Sequence, residues 1–305
     1  MLNVALHLLV VLLAPPFLLG VIGRTKAAFA GRSGPSLLQP YHDLARLFRK
    51  GSVLSPTTTG IFLAGPVLAV VAPLAASLLV PIGSPHAPVS FTGDLILFAY
   101  LFALSRFFTA AAALDTGSAF EGMGAAREVS FSCLAEPALF FGLLAIARIS
   151  GSLSLSSMLA HPWSLGWLTS GASLVLVVAG WFIVLLAENS RMPFDDPNTH
   201  LELTMIHEVM VLDHSGPSLG LILYGSAIKL FVLGALLMRV AIPFGAADPW
   251  LSGLVFLAGM LFLAILIGVV ESVMARLRLV AVPRLLVTAC LLSGLGMLLL
   301  AGSAP

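Results

Sequence analysis

The chain has 305 residues, of which 59% are hydrophobic and 10% are charged. Soluble globular proteins carry about 25% charged residues, so water cannot be the solvent for most of this surface. The 15 Lys and Arg residues nearly balance the 14 Asp and Glu residues, so the positions of the charges say more than their sum. These values exclude a basic nucleic-acid-binding protein, a disordered regulator and a secreted disulfide scaffold.

Eight stretches of about 20 mostly apolar residues are long enough to cross a membrane as helices. The first stretch has no basic start and no small-residue cleavage site, which predicts a retained span rather than a signal peptide. We find no internal repeat and no soluble domain, so the predicted fold is an all-α polytopic membrane protein with a single transmembrane domain, residues 1–305. The predicted spans are 2–22, 60–80, 93–113, 129–149, 168–187, 218–239, 251–271 and 283–301.

Lysine and arginine are concentrated in the loops that follow the odd-numbered spans. The alternate loops offer only Arg148 and Arg239, each at the end of a span. By the positive-inside rule, both termini lie outside the cytoplasm and the basic loops lie inside it. These predicted cytoplasmic loops are 23–59, 114–128, 188–217 and 272–282.

A short amphipathic helix is predicted over residues 41–50. Leu44, Leu47 and Phe48 fall on one helical face, while the basic residues fall elsewhere. This pattern suits a helix that lies along the inner membrane surface. It could serve as an anchor on the lipid surface or as a docking ledge for a soluble partner, and the pattern leaves both interpretations open.

Acidic residues lie at the start of the fourth span and inside it. Glu128 and Glu136 are a little over two helical turns apart, so their carboxylates share a broad face. A span tolerates a central ionic side chain only beside a partner or a wet cavity, at a cost of about 2.5–3.5 kcal/mol. Glu136 lies deepest in an apolar span and is expected to be the most strongly desolvated acid. It is either part of a proton or ion relay or a structural hydrogen-bonding group between helices.

Two cations lie inside predicted spans. Arg106 is deep in span 3, and Lys229 is in the middle of span 6. Isolated intramembrane cations are candidates for function by default, but either could be a counter-ion for Glu136 or another buried acid. Glu271, at the end of span 7, is interpreted as a plain boundary residue.

The loop after span 5 is rich in acids and histidines. Asp196 and Pro197 form a good helix start, which predicts a helix from there to Leu212. His200 and His207 do not have the spacing of a metal-binding motif, so we predict no metal site. We interpret the loop as an acidic, titratable funnel at the membrane surface rather than as a merely solvated loop.

A rigid turn precedes that predicted helix. Pro193 fixes the backbone, so the turn from Arg191 to Asp196 is expected to present Phe194 to a partner.

The chain has two cysteines, Cys133 and Cys290, both inside apolar runs. An iron–sulfur cluster takes about four thiolates, so this chain cannot hold one alone. We expect both cysteines to be small buried hydrophobic residues.

Three of the predicted inner segments resemble a known family. They are Gly-Arg-Ser-Gly-Pro-Ser-Leu-Leu-Gln-Pro-Tyr-His-Asp-Leu at 31–44, Gly-Ala-Ala-Arg-Glu at 124–128 and Ala-Glu-Asn-Ser-Arg-Met-Pro-Phe-Asp at 187–195. They resemble the heel subunit of the membrane arm of respiratory complex I. They resemble still more its counterpart in membrane-bound NiFe hydrogenases of the formate hydrogenlyase and hydrogenase-4 type, and the string at 200–208 matches that branch.

The resemblance implies a prokaryotic inner-membrane subunit without catalytic residues or a cofactor of its own. A NiFe centre and iron–sulfur clusters are expected in partner subunits, namely the hydrogenase large and small subunits and iron–sulfur proteins on the cytoplasmic side. Antiporter-like membrane subunits and the lipid bilayer complete the expected partners, with no nucleic acid. The residues implied at the soluble-module interface are Arg32, Gly34, Pro35, Gln39, Asp43, Arg191, Pro193, Phe194 and Asp195. The residues implied in a proton path are Asp115, Glu128, Glu136, Glu188, Glu202, Glu208, Asp213 and Lys229.

Departures from the complex I pattern predict that quinone is not bound productively. Asn198, His200 and Ser226 stand where complex I has acids. The favoured function is a membrane-anchoring and energy-coupling subunit of a hydrogenase complex that links electron transfer to H+ or Na+ translocation. The alternatives are the quinone-chamber subunit of a complex I-type NADH dehydrogenase and a passive anchor. A stand-alone transporter is disfavoured because the chain lacks repeats and broken helices.

Overall fold

A computed structural model of the protein describes residues 2–83, 86–160, 163–195, 205–242 and 249–302. Within these ranges the chain forms ten α-helices and two short 3-10 helices, with no strand. The α-helices are α1 (Leu2–Phe29), α2 (Gln39–Phe48), α3 (Gly60–Ser77), α4 (Asp94–Asp115), α5 (Ala119–Ser150), α6 (Leu155–Ala160), α7 (Trp163–Glu188), α8 (Gly216–Ala241), α9 (Pro249–Val273) and α10 (Val282–Gly302).

Eight of the α-helices are long and apolar enough to cross a membrane, which confirms the predicted fold class. Each predicted span falls on one of them. The largest difference in boundaries is at α5, which begins at Ala119 rather than near residue 129. Residues 119–128 are too polar to count as a membrane span, but they include alanines and other good helix formers that extend the helix.

The predicted amphipathic helix is present as α2. Pro40 stands in its first turn, where a proline is well tolerated. Leu47 and Phe48 lie against Gly220, near the start of α8. The helix therefore packs on the bundle through part of its apolar face, and its contact with lipid or a soluble partner stays a prediction.

The central helix of the bundle is α8. Its residues from Leu230 to Val240 are all buried, and α1, α3, α7 and α9 pack around it. A Cβ atom at Gly225 would lie 2.1 Å from the carbonyl oxygen of Ala69, so only glycine lets α3 approach this closely. The first half of α8 borders the candidate site.

The connecting segments gather at two ends of the bundle. At one end, Val53 N–H donates to Ser215 Oγ at 2.9 Å, and Leu277 N–H donates to the carbonyl oxygen of Pro193 at 3.0 Å. We call this the basic end because the arginines and lysines of the described links lie there. The positive-inside rule predicts that it faces the cytoplasm, and that orientation stays a prediction. The basic end comprises residues 30–38, 49–59, 189–195, 205–215 and 274–281.

Candidate functional site

A cavity of about 310 Å³ lies at the basic end, between α2, α4, α7, α8 and residues 205–211. Part of its wall is apolar, including Leu19, Leu44 and Leu47. The remainder carries both signs of charge, so the ionic side chains of this wall have charged neighbours, which they need within a membrane protein. The charged residues of its wall are Asp43, Arg106, Glu128, Glu188, Arg191, Glu208 and Lys229.

Three charged side chains of the cavity wall and Glu136, which lies outside that wall, form one continuous ion-paired cluster. Arg106 donates from Nη1 to Glu188 Oε1 at 2.7 Å and from Nη2 to Glu136 Oε1 at 2.9 Å. Lys229 Nζ lies 2.8 Å from Glu188 Oε2. The side chains of Arg106 and Glu188 are only 8% and 9% exposed. The two intramembrane cations are thus counter-ions of the same buried acid, and Arg106 also bridges to a second acid.

The expectation that Glu136 is the most desolvated acid is wrong. Its side chain is 44% exposed, whereas that of Glu188 is 9% exposed. Position along a span sets depth in the membrane, but the helix face sets burial. Glu188, at the end of α7, is enclosed by α4 and α8, whereas Glu136 lies on a face of α5 that is only partly covered.

Arg106 and Glu188 line the main cavity and also two smaller ones. One, of about 80 Å³, lies between α4 and α5 and includes Glu136 and Tyr100 in its wall. The other, of about 20 Å³, includes Glu128. Three acids of the predicted path therefore surround a single arginine, a relation that no spacing in the sequence indicates.

The remaining acids of the predicted path have different positions. Glu208 lines the main cavity. Asp115 instead caps α3, because its Oδ2 accepts hydrogen bonds from the N–H groups of Thr59 at 2.6 Å and Phe62 at 3.3 Å. Asp213 donates its backbone N–H to Glu121 Oε1 at 2.9 Å. Glu202 lies outside the described residues.

Glu121 is a buried acid that is not among the predicted site residues. It is 1% exposed and lies in the first turn of α5, within the segment that was predicted to be a loop. A buried carboxylate that accepts from a backbone N–H is typical of a structural contact between segments, here α5 and residues 212–215. The helix-forming residues at 119–128 were the sequence signal, because they extend α5 to Ala119 and so place Glu121 in its first turn.

The turn at residues 191–195 faces the protein interior, so the prediction that it presents Phe194 to a partner is wrong. Phe194 and Asp195 are 3% and 2% exposed. Asp195 Oδ2 accepts from the backbone N–H groups of Ile206 and His207, both at 3.0 Å, and its Oδ1 accepts from Arg276 at 3.0 Å. The turn therefore supports residues 205–207, which continue into the cavity wall at His207.

Glu271 is the centre of a second buried ionic group, which corrects its interpretation as a boundary residue. Its side chain is 2% exposed and lies 2.9 Å from Lys26 Nζ and 3.3 Å from Arg191 Nη1. The group joins α1, α9 and the 191–195 turn. Its three members come from distant parts of the chain, so local sequence could not indicate the pairing.

The structure describes only residues 205–212 of the helix that was predicted from Asp196 to Leu212. Asp196, Pro197, His200 and Glu202 lie outside the described residues. In the described part, residues 208–211 form a single 3-10 turn rather than an α-helix. Val209, Met210 and Val211 are all buried there, and packing on consecutive positions overrides the helical pattern that the sequence indicates.

The residues expected at the soluble-module interface gather at the basic end. Arg32, Gly34 and Pro35 are exposed in the link between α1 and α2. Gly34 has a φ of +67°, and a Cβ atom there would lie 2.6 Å from that of Ala27, so the link needs glycine. On α2, Gln39 Nε2 donates to Asp43 Oδ1 at 3.0 Å. Contact of these five residues with another subunit stays a prediction, whereas Phe194 and Asp195 of the predicted set are buried.

The two cysteines differ in exposure. Cys133 is exposed on α5, which corrects the expectation that it is buried, and Cys290 is partly buried on α10. Both are free thiols in the structure.

Known proteins resemble this chain over most of its length. Residues 2–302 match the family model described as NADH dehydrogenase. Formate hydrogenlyase subunit 4 of Escherichia coli (strain K12) is 31% identical over 285 residues, which cover 91% of each chain. Hydrogenase-4 component C of the same strain is 32% identical over 276 residues, which cover 88% of this chain and 86% of the relative.

Two further proteins are similar to this chain, one over about 60% of its length and one mainly in its fold. NADH-ubiquinone oxidoreductase chain 1 of Trichosurus vulpecula is 30% identical over 201 residues, which cover 63% of this chain and 61% of the relative. A chain of the membrane-bound sulfane sulfur reductase, an archaeal respiratory membrane complex, superposes with a TM-score of 0.84 over 98% of both chains. At 22% identity, that likeness shows the fold alone.

Proposed function

The chain belongs to the NADH dehydrogenase family, and on that premise we propose that it is the membrane-anchoring and energy-coupling subunit of a hydrogenase complex. It is a multi-pass membrane protein related to hydrogenase subunits. In the proposal, NiFe and iron–sulfur subunits bind at the basic end, on the cytoplasmic side of a prokaryotic inner membrane. They carry the electrons, and this chain links that transfer to H+ or Na+ movement towards antiporter-like subunits.

The ion-paired cluster beside the cavity is the observation that carries the proposal. With Glu128, Glu136 and Glu188 ionised, three negative charges face the two positive charges of Arg106 and Lys229. Charges this close interact strongly inside a protein, so a change of charge at one group alters the electrostatic energy of the others. Arg106 contacts two of the acids directly, so its displacement would transmit a change in the cavity to the interior of the membrane.

A passive anchor does not need such a cluster. Buried ion pairs cost desolvation energy that well-packed apolar residues of similar size avoid, and such replacement is often neutral or stabilising. The presence of several buried ionic side chains despite this cost favours a role in charge movement. Clusters of ionisable side chains in a cavity are typical of functional sites.

The second candidate is a quinone-chamber subunit of a complex I-type NADH dehydrogenase, and the partly apolar cavity wall favours it. Ser226 lies in that wall, where the complex I pattern has an acid, so we expect no productive quinone binding. The test is reduction of a quinone analogue by the purified complex with hydrogen as donor. Robust reduction that is blocked by quinone-site inhibitors would support this candidate instead.

The coupling proposal is tested with the double variant Glu188→Gln/Lys229→Met in the purified complex. The two changes remove one charge of each sign and leave the pair between Arg106 and Glu136 in place. We expect dye-linked hydrogenase activity to persist, while H+ or Na+ uptake by proteoliposomes falls to background. Arg239→Lys, which keeps its charge far from the cavity, is the matched control and should pump normally. Wild-type ion uptake per electron in the double variant would leave the passive anchor as the better explanation.

A further inference from the structure

A mid-membrane carboxylate faces outward between α4 and α5. Glu136 lies near the middle of α5, and its side chain is 44% exposed although Arg106 bonds one of its oxygens. A half-exposed carboxylate at the centre of a span is costly against lipid hydrocarbon. The surface around it, here called the α4–α5 face, consists of Tyr100, Leu104, Phe107, Val129, Cys133 and Glu136.

Other polar groups lie on the same face. Tyr100 is 65% exposed and shares the 80 Å³ cavity with Glu136. Pro137 has no N–H, so the carbonyl oxygen of Cys133, four residues earlier, loses its helical hydrogen-bond donor. Lipid tails supply no hydrogen bonds, so polar groups at this depth normally meet a neighbouring helix or water.

The exposed face of α9 provides an internal comparison. Its exposed large side chains include Leu254, Leu257, Leu261, Phe262 and Ile265, all of them apolar. That surface is compatible with direct contact to lipid. The α4–α5 face has a similar frame of large apolar residues, but it adds a carboxylate, a hydroxyl and a carbonyl that lacks its helical donor.

We infer that the α4–α5 face binds a transmembrane helix of another membrane subunit, which donates a hydrogen bond or a positive charge to Glu136. The charges of the cluster favour a donor, because the guanidinium of Arg106 already serves both Glu136 and Glu188 and the surrounding acids outnumber the cations. Polar side chains that bond across helices are a common means of helix association in membranes. The inference rests on the proposed function only in requiring that the chain works within a larger membrane complex.

Photo-cross-linking in the native complex tests the inference. Benzoyl-phenylalanine replaces Val129 on the α4–α5 face and, as the matched control, Phe262 on α9. We expect the probe at residue 129 to cross-link a peptide from a hydrophobic helix of another membrane subunit, identified by mass spectrometry. The probe at residue 262 should cross-link lipid. Lipid or soluble-subunit products alone at residue 129 would overturn the inference.

Substitution of Glu136 tests the chemistry of the contact. Glu136→Leu should reduce the cross-link from residue 129 several-fold, whereas Glu136→Gln, which can still accept hydrogen bonds, should retain more of it. Equal cross-linking in both variants would overturn the role of Glu136 as the acceptor. The cross-link measures contact between subunits and not ion movement, so it tests the α4–α5 face separately from the proposed energy coupling. A complex that pumps but gives no protein cross-link refutes the surface alone, and one that cross-links but does not pump refutes the coupling alone.

Discussion

Two cations on α8 have contrasting surroundings. Lys229 lies beside the cavity and ion-pairs with Glu188 at 2.8 Å. Arg239 is 4% exposed and donates from Nε to the carbonyl oxygen of Pro81 at 3.0 Å, towards the other end of the bundle. A carboxylate can gain or lose a proton, but a backbone carbonyl cannot. A charge within a span is therefore not in itself a sign of function, since the chemistry of its partner decides what it can do.

The same contrast holds for the acids. Glu188 meets two ionisable side chains. Asp94, which is fully buried near the end opposite the basic one, accepts from the backbone N–H of Leu155 and the hydroxyl of Ser154. These fixed donors join α4 to the start of α6. Under the proposed function, the cluster at the basic end would be the charge-moving part of the bundle, whereas Asp94 and Arg239 would be structural.

The largest effect is expected from Glu188→Gln alone. It leaves Arg106 and Lys229 without their shared buried counter-ion, which destabilises a protein by about 3–5 kcal/mol. The apparent melting temperature in detergent should drop, and addition of Lys229→Met should recover part of the loss. No recovery in the double variant would mean that the loss does not come from unpaired charge.

A smaller loss is expected from Arg239→Met. It leaves the carbonyl oxygen of Pro81 without this donor, at a cost of about 1–3 kcal/mol, but it removes no member of the charged cluster. The melting temperature should fall while ion uptake per electron stays at the wild-type level. A clear decrease in ion uptake would contradict the distinction between the charged cluster and the structural contact of Arg239.

Asp195→Asn should have an effect of similar size. The amide oxygen can still accept from the N–H groups of Ile206 and His207, but the charged bond to Arg276 is lost, at about 1.5–3 kcal/mol. A double-mutant cycle with Arg276→Met, followed by melting temperature, isolates this pair. Additive losses would show that the two side chains do not stabilise each other.

The smallest effect at neutral pH concerns His214, whose ring stacks on Phe62 with centroids 3.9 Å apart. Burial lowers the pKa of His214 to about 4, although Asp213 acts in the opposite direction. Between pH 6.5 and 4 the unfolded chain binds a proton that the folded chain does not, so this residue makes stability fall as the pH falls through that window. Above pH 6.5 it has no such effect.

The check is the melting temperature of the wild type and of His214→Phe at pH 8 and pH 5. The variant should lose less stability than the wild type on acidification, with His42→Gln on the exposed side of α2 as control. Identical pH profiles for the wild type and His214→Phe would contradict the lowered pKa.

The sequence by itself determined the eight membrane helices, because hydropathy is a local property summed over about 20 residues. It also predicted the amphipathic helix from a periodic pattern within ten residues. The family resemblance could be recognised from short strings in the loops, and the matches over most of the chain confirm it. These inferences need no knowledge of how distant segments meet.

Only the tertiary structure decided which charged groups act together. Arg106 bonds Glu188, 82 residues away in the chain, and Glu136, 30 residues away. No local pattern encodes such pairs, because they depend on which helix faces meet, and this is why Glu136 rather than Glu188 was expected to be the buried acid. The inward direction of Phe194 and the burial of Glu271 have the same origin: burial is a property of packed helices and not of a single span.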